Sequence, residues 1–121
     1  MTLKIIDETF CVCQVADYKG IDLSTPFMFI SSTDEEKSLV CPIDKVPVNT
    51  VERDDGWKAF RIEGTLDFSL IGILADISKV LAQGKVGIFA ISTYNTDYIL
   101  TKSENFERAI CLLQAAGYTF K

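Results

Sequence analysis

Apolar positions in the second half of the chain recur with two different periods. From Trp57 to Glu63, Phe60 and Ile62 fall on one face and Arg61 and Glu63 on the other, which predicts a strand ended by Gly64. Leu70, Ile73, Leu74, Ile77, Val80 and Leu81 then recur at helical spacing, with Asp76, Lys79 and Gln83 mostly opposite. Asp67 or Ser69 can cap this helix, and Gly84 suits its end. Gly72 inside it costs ~1 kcal/mol relative to alanine, so a close packing approach is the expected reason for it. Ile88–Ser92 and Tyr98–Thr101 are β-rich, and Tyr94-Asn95-Thr96-Asp97 between them predicts a hairpin turn. A second helix follows, with Ser103 as cap, Glu104 in its first turn, Phe106, Ala109, Ile110 and Leu113 as its stripe, and Gly117 as its stop. Tyr118-Thr119-Phe120 closes the series as a short strand.

The order is β-α-β-β-α-β. That order predicts an α+β, ferredoxin-like arrangement, an antiparallel sheet with both helices on one face. The first half is less regular. Thr9–Val15, Phe27–Ser32 and Lys37–Cys41 read as strands, with Asp34-Glu35-Glu36 as the turn between the last two. Pro42 and Pro47 leave room for at most one helical turn. Phe29–Asp34 followed by Ser38-Leu39-Val40 echoes Ala90–Thr93 followed by Tyr98-Ile99-Leu100. The first half therefore reads as a worn copy of the second, with Asp54-Asp55-Gly56 as the joint. The expected division is 1–56, a reduced β-rich unit, and 57–121, the βαββαβ domain.

The runs Phe60–Ala75 and Ile88–Leu100 together resemble the opening strand, loop and helix, and then the central hairpin, of an ACT domain. The branch resembled contains small bacterial tandem-ACT proteins and the eukaryotic cytosolic arginine sensors. Close resemblance covers 58–121; the first half is similar to the reduced ACT-like unit of the small bacterial members. The resemblance implies a regulatory protein that binds a free amino acid or similar small metabolite at an ACT interface; a homodimer and a docked protein partner are expected alongside. The other reading is a structural or oligomerisation module with no small-molecule ligand.

Topology supports a site independently of resemblance. In this fold the loop after the first strand and the tip of the hairpin lie at one end of the sheet. That brings Leu66, Asp67, Phe68 and Ser69 beside Thr93, Tyr94, Asn95 and Asp97. The helix N-terminus suits a ligand carboxylate. Asp97 or Asp67 suits an α-ammonium, and Tyr94 and Phe68 suit an apolar part. Capping alone would equally explain Asp67, and turn chemistry alone would explain Asn95 and Asp97.

Composition narrows the alternatives. Of 121 residues, 17 are acidic and 12 basic, a formal net charge of -5, and there is no basic cluster. Such a surface repels phosphate backbones and anionic lipid, so neither nucleic acid nor membrane is an expected partner. The N-terminus lacks a secretion-signal pattern, and no stretch approaches a membrane span, which leaves the cytoplasm as the expected location. With no histidine, no nucleophile elbow and no phosphate loop, catalysis is not expected, nor is a cofactor. The four cysteines, Cys11, Cys13, Cys41 and Cys111, contain no C-x-x-C pair and read as buried or half-buried structural thiols rather than metal ligands.

Overall fold

The computed structural model describes residues 1–63 and 72–121. Its strands are β1 (Thr2–Val15), β2 (Phe29–Ser32), β3 (Lys37–Pro42), β4 (Thr50–Ile62), β5 (Phe89–Ser92), β6 (Asp97–Lys102) and β7 (Thr119–Phe120). The helices are α1 (Ile73–Gln83) and α2 (Ser103–Ala115), with one 3-10 turn at Ile43–Lys45. Two compact units divide the chain: Met1–Asp7 with Lys58–Lys121, and Glu8–Trp57. Strands β1 and β4 each contribute residues to both.

In the unit completed by the C-terminus the strand order is β7-β1-β4-β6-β5. Leu3, Phe60, Ile62 and Ile99 from the sheet form one fully buried cluster with Ile77 and Leu81 of α1 and Ala109 and Leu113 of α2. Both helices therefore cover one face, as the periodicity predicts, and this is the ferredoxin-like arrangement. Phe60 packs edge-to-face on Phe120, with centroids 5.5 Å apart. Tyr118 adds a polar tie by donating its phenol to Asp76 of α1.

The last strand joins the sheet through the chain's first residues. β7 does not lie against β4; it pairs in parallel with the N-terminal end of β1, in the register Thr2↔Thr119 and Leu3↔Phe120. The chain's first residues thus enter the sheet between the first and last strands of the βαββαβ series. Leu3 is fully buried there, so burial of its side chain fixes the insertion.

Several local expectations are corrected. Gly72 is not packed inside α1. It is the N-cap, in the left-handed region at φ 90, and an added Cβ would meet nothing within 4 Å among the described residues. The constraint on it is conformational. The caps placed at Asp67 or Ser69 lie outside the described residues. Ser103 is the first helical residue of α2; the N-cap is Lys102, without a side-chain cap bond. Asp54-Asp55-Gly56, the expected joint, lies inside β4, next to the point after Trp57 where the two units divide. Arg53 makes a two-pronged pair with Asp55 there, at 3.0 and 3.1 Å; residues two apart on a strand share a face.

In the unit Glu8–Trp57, β1 pairs with β3 and β3 with β2, both antiparallel. Its core gathers Cys11, Cys13, Val15, Leu39 and Cys41. Burial pushes the Cys11 and Cys41 thiols up to about 12, and the Asp55 carboxylate against Cys11 adds to the effect there. Cys111 departs from expectation: it stands exposed on α2. The echo between halves has a geometric counterpart. The β2–β3 hairpin pairs Phe29↔Val40 and Ser32↔Lys37. The β5–β6 hairpin pairs Phe89↔Leu100 and Ser92↔Asp97. Each position is offset by 60 (29 to 89, 40 to 100).

Gly84 makes the close approach between the helices. A Cβ there would overlap Cδ1 of Leu112. Gly84→Ala should cost about 1 kcal/mol, because the tip of half-buried Leu112 must shift to make room. In a double-mutant cycle read by urea denaturation, Leu112→Ala should remove most of that penalty. The thiols give a second check. With an aromatic disulfide reagent at pH 8, Cys111 should react promptly in the native protein, and the three buried thiols only after denaturation.

Candidate functional site

The end of β4 and the tip of the β5–β6 hairpin meet, as topology requires. The tip is held by Thr93, whose backbone N–H and hydroxyl both donate to the Thr96 carbonyl, at 2.8 and 3.0 Å. Thr96 N–H donates back to the Thr93 hydroxyl at 3.3 Å. The Thr96 hydroxyl then reaches out of the turn and donates to the Ile62 carbonyl at 2.8 Å. Thr96 is one of two buried polar residues among those described. Its hydroxyl is therefore a tie between strand end and hairpin, made where water does not compete.

Strand alternation sets what faces the opening. Phe60 and Ile62 turn to the helices, so Arg61 turns the other way. Ile99 likewise turns to the helices, so Tyr98 faces with Arg61. The Arg61 guanidinium donates to the Tyr98 hydroxyl at 3.1 Å and lies 5.9 Å from the centre of its ring. Glu63 continues past the strand, its N–H donating to the Thr2 carbonyl at 3.0 Å. Its Oε1 lies 3.7 Å from the Lys121 ammonium. Its Oε2 is buried and has no hydrogen-bond partner among the described residues.

These groups enclose a cavity of about 280 Å³, lined by Arg61, Ile62, Glu63, Thr93, Asn95, Thr96 and Tyr98. That is near the lower end of the range for small-ligand sites. Thr93 and Asn95 were named from the sequence and lie in its wall. Tyr94 stands 81% exposed at the tip. Asp97 opens β6 opposite Ser92 and is not among the lining residues. Leu66, Asp67, Phe68 and Ser69 lie outside the described residues. Sequence reasoning missed Arg61, Glu63, Thr96 and Tyr98. The signal for Arg61 and Glu63 was present: two charges on the polar face of a strand that ends beside the hairpin.

The wall offers a guanidinium, a carboxylate, an amide and hydroxyls, but no imidazole or thiol. It can hold a small polar molecule by charge and hydrogen bonds. It offers no nucleophile–base pair among the described residues. None of the described helices is long and apolar enough to cross a membrane.

A family model described as an ACT domain matches residues 52–115. Among solved structures, protein Atu0741 from Agrobacterium tumefaciens is 30% identical, with a TM-score of 0.86, over 99% of this chain and 91% of that one. A Vibrio cholerae protein of unknown function, VC0802, described as a possible transport protein, is 18% identical, with a TM-score of 0.75, over 92% of this chain and 85% of that one. Aspartate kinase from Clostridium acetobutylicum, described as an allosteric enzyme, is 17% identical, with a TM-score of 0.64, over 89% of this chain and 32% of that one. The last two likenesses establish a shared fold alone.

The tie at the hairpin tip is testable. Thr96→Val keeps the shape and removes the hydroxyl, so it should destabilise the protein by about 1–3 kcal/mol. Thr96→Ser should recover most of that loss, read as the midpoint of urea denaturation.

Proposed function

Because the chain belongs to the ACT domain family, we propose that it is a non-catalytic regulatory protein whose cavity at the end of β4 binds a free amino acid or similar small metabolite. The observation that carries this reading is the cavity itself. One small pocket, walled by Arg61, Glu63, Thr93, Asn95, Thr96 and Tyr98, opens at the end of the sheet where β4 runs out beside the hairpin. Its volume and polarity suit a metabolite and not a polymer. The aspartate kinase neighbour, an allosteric enzyme, carries a domain of the same fold within a chain about three times as long, which supports a regulatory role for the fold. The matched hairpin registers support a tandem origin, with Glu8–Trp57 as the reduced copy. Asp97, Leu66, Asp67, Phe68 and Ser69, named from the sequence, stay candidate ligand contacts in this reading. A homodimer in the cytoplasm and a docked protein partner whose affinity the ligand shifts complete the reading.

The test is thermal denaturation against the twenty common free L-amino acids at 10 mM. A ligand at 100 times its Kd should add about 2.7 kcal/mol to stability. The expected result is a raised midpoint with one amino acid or a few chemically related ones, lost in Asn95→Ala or Arg61→Ala but kept in Asp34→Ala. A uniform absence of shift would favour the structural module instead.

A further inference from the structure

The cavity leaves one reactive cluster of the molecule unused: the thiols of Cys11, Cys13 and Cys41, all within the unit Glu8–Trp57. Cys11 and Cys41 are fully buried, and Cys13 is 5% exposed. Tyr18, Ile21, Met28 and Val46, each partly buried, pack against the same cluster. Among the described residues no three cysteine or acidic side chains are arranged to hold a metal ion, which leaves the chemistry of sulfur with sulfur. Strand register decides which thiols can meet. Cys11 and Cys41 are direct partners across the antiparallel β1–β3 pair. Such partners have Cα atoms about 4.5–5.5 Å apart, inside the span of about 4.4–6.8 Å that a disulfide bridges. Cys13 stands two positions from Cys11 on one strand, with its Cβ projecting the same way. Their Cβ atoms are therefore about 6.6 Å apart, where a disulfide needs about 3.5–4.5 Å. The direct partner of Cys13 is Leu39, and Cys41 lies diagonally from it, at about 7–8 Å.

We propose that Cys11 and Cys41 are a redox pair that closes into a cross-strand disulfide by exchange with a low-molecular-weight disulfide, Cys13 being excluded by its spacing. Burial blocks the exchange in the closed fold, where both thiols are held far from ionisation. Opening of the unit returns them to the ordinary value of about 8.5, where thiolate forms. One cysteine thiolate then attacks a sulfur of the small disulfide and expels one thiolate, leaving a mixed disulfide. The other cysteine thiolate attacks the protein sulfur of that bond and expels the second. Two electrons pass to the small disulfide, which leaves as two thiols carrying the two cysteine protons. Refolding seals the new bond in the core, out of reach of reductants, and ties β3 covalently to β1.

The test uses the full-length Cys111→Ser chain, in which the exposed thiol can no longer cross-link molecules. The chain is unfolded in urea and refolded in mixed reduced and oxidised glutathione at pH 8. Free thiols are then alkylated, and the linkages are mapped by proteolysis and mass spectrometry. The expected map joins Cys11 to Cys41 and shows Cys13 alkylated. The oxidised chain should unfold at a urea midpoint about 1–3 M above the reduced one. Cys13→Ser should leave both results unchanged. Linkage of Cys13 to either partner, recovery of all three thiols free, or an oxidised chain less stable than the reduced one would each overturn the proposal. If Cys13→Ser does not fold, the map of the chain with all three buried cysteines in place still decides.

Discussion

One hydrogen bond fixes the geometry on which the candidate site depends. The Thr96 hydroxyl donates to the Ile62 carbonyl across 34 positions of sequence. It joins a hairpin tip to a strand end, two features that otherwise splay apart where a sheet terminates. Because Thr96 is buried, the bond is made in a medium where losing it leaves an unsatisfied carbonyl. Arg61 and Glu63 flank Ile62, while Thr93 and Asn95 flank the tip. Fixing Ile62 against Thr96 thus places four potential ligand contacts around one opening. The Arg61–Tyr98 contact reinforces the same junction from the face away from the helices.

Much of the C-terminal unit is legible because its elements bury one face. Phe60 and Ile62 alternate with charges, and Phe106, Ala109 and Leu113 recur at helical spacing. Those periods are produced by burial and so report it. The N-terminal end of β1 is less legible for the converse reason. Ile5 and Ile6 are adjacent apolar residues, but Ile6 is buried and Ile5 is 37% exposed, so the doublet masks the alternation. The first half of β4 is harder still. Val51-Glu52-Arg53-Asp54-Asp55 carries turn-like composition, yet it is strand. Backbone pairing holds it there, and pairing leaves no mark on the side-chain pattern. The parallel pairing of β7 with β1 is a long-range choice of partner, which no local window contains.

The candidate site divides along the same line. Topology was sufficient to place the strand end beside the hairpin, since that follows from strand direction alone. Which side chains form the wall was not, because it depends on the half-turn of register that sends Tyr98 and Arg61 to one face and Ile99 and Ile62 to the other. Asp97 illustrates the distinction. Its charge made it prominent in the sequence, but its backbone pairs with Ser92 and begins β6. Glu63, one position past the end of β4, lines the cavity instead.

The two hairpins show how one backbone solution serves different chemistry. In both, a threonine opens a four-residue turn, and its backbone N–H donates to the carbonyl three positions on: Thr33 to Glu36 and Thr93 to Thr96. That bond is indifferent to the side chain at the fourth position. The fourth position decides everything beyond the turn. Thr96 is short, has a hydroxyl and sits buried, so it can bond the neighbouring strand. Glu36 is longer, charged and exposed; burying it against a carbonyl would set two acceptors together without a donor. Backbone bonding thus preserves the shared register, while a single side-chain difference confines the strand-end tie to the C-terminal unit. A binding wall built on that tie would follow the same restriction, one per chain, whatever the ancestry of the two halves.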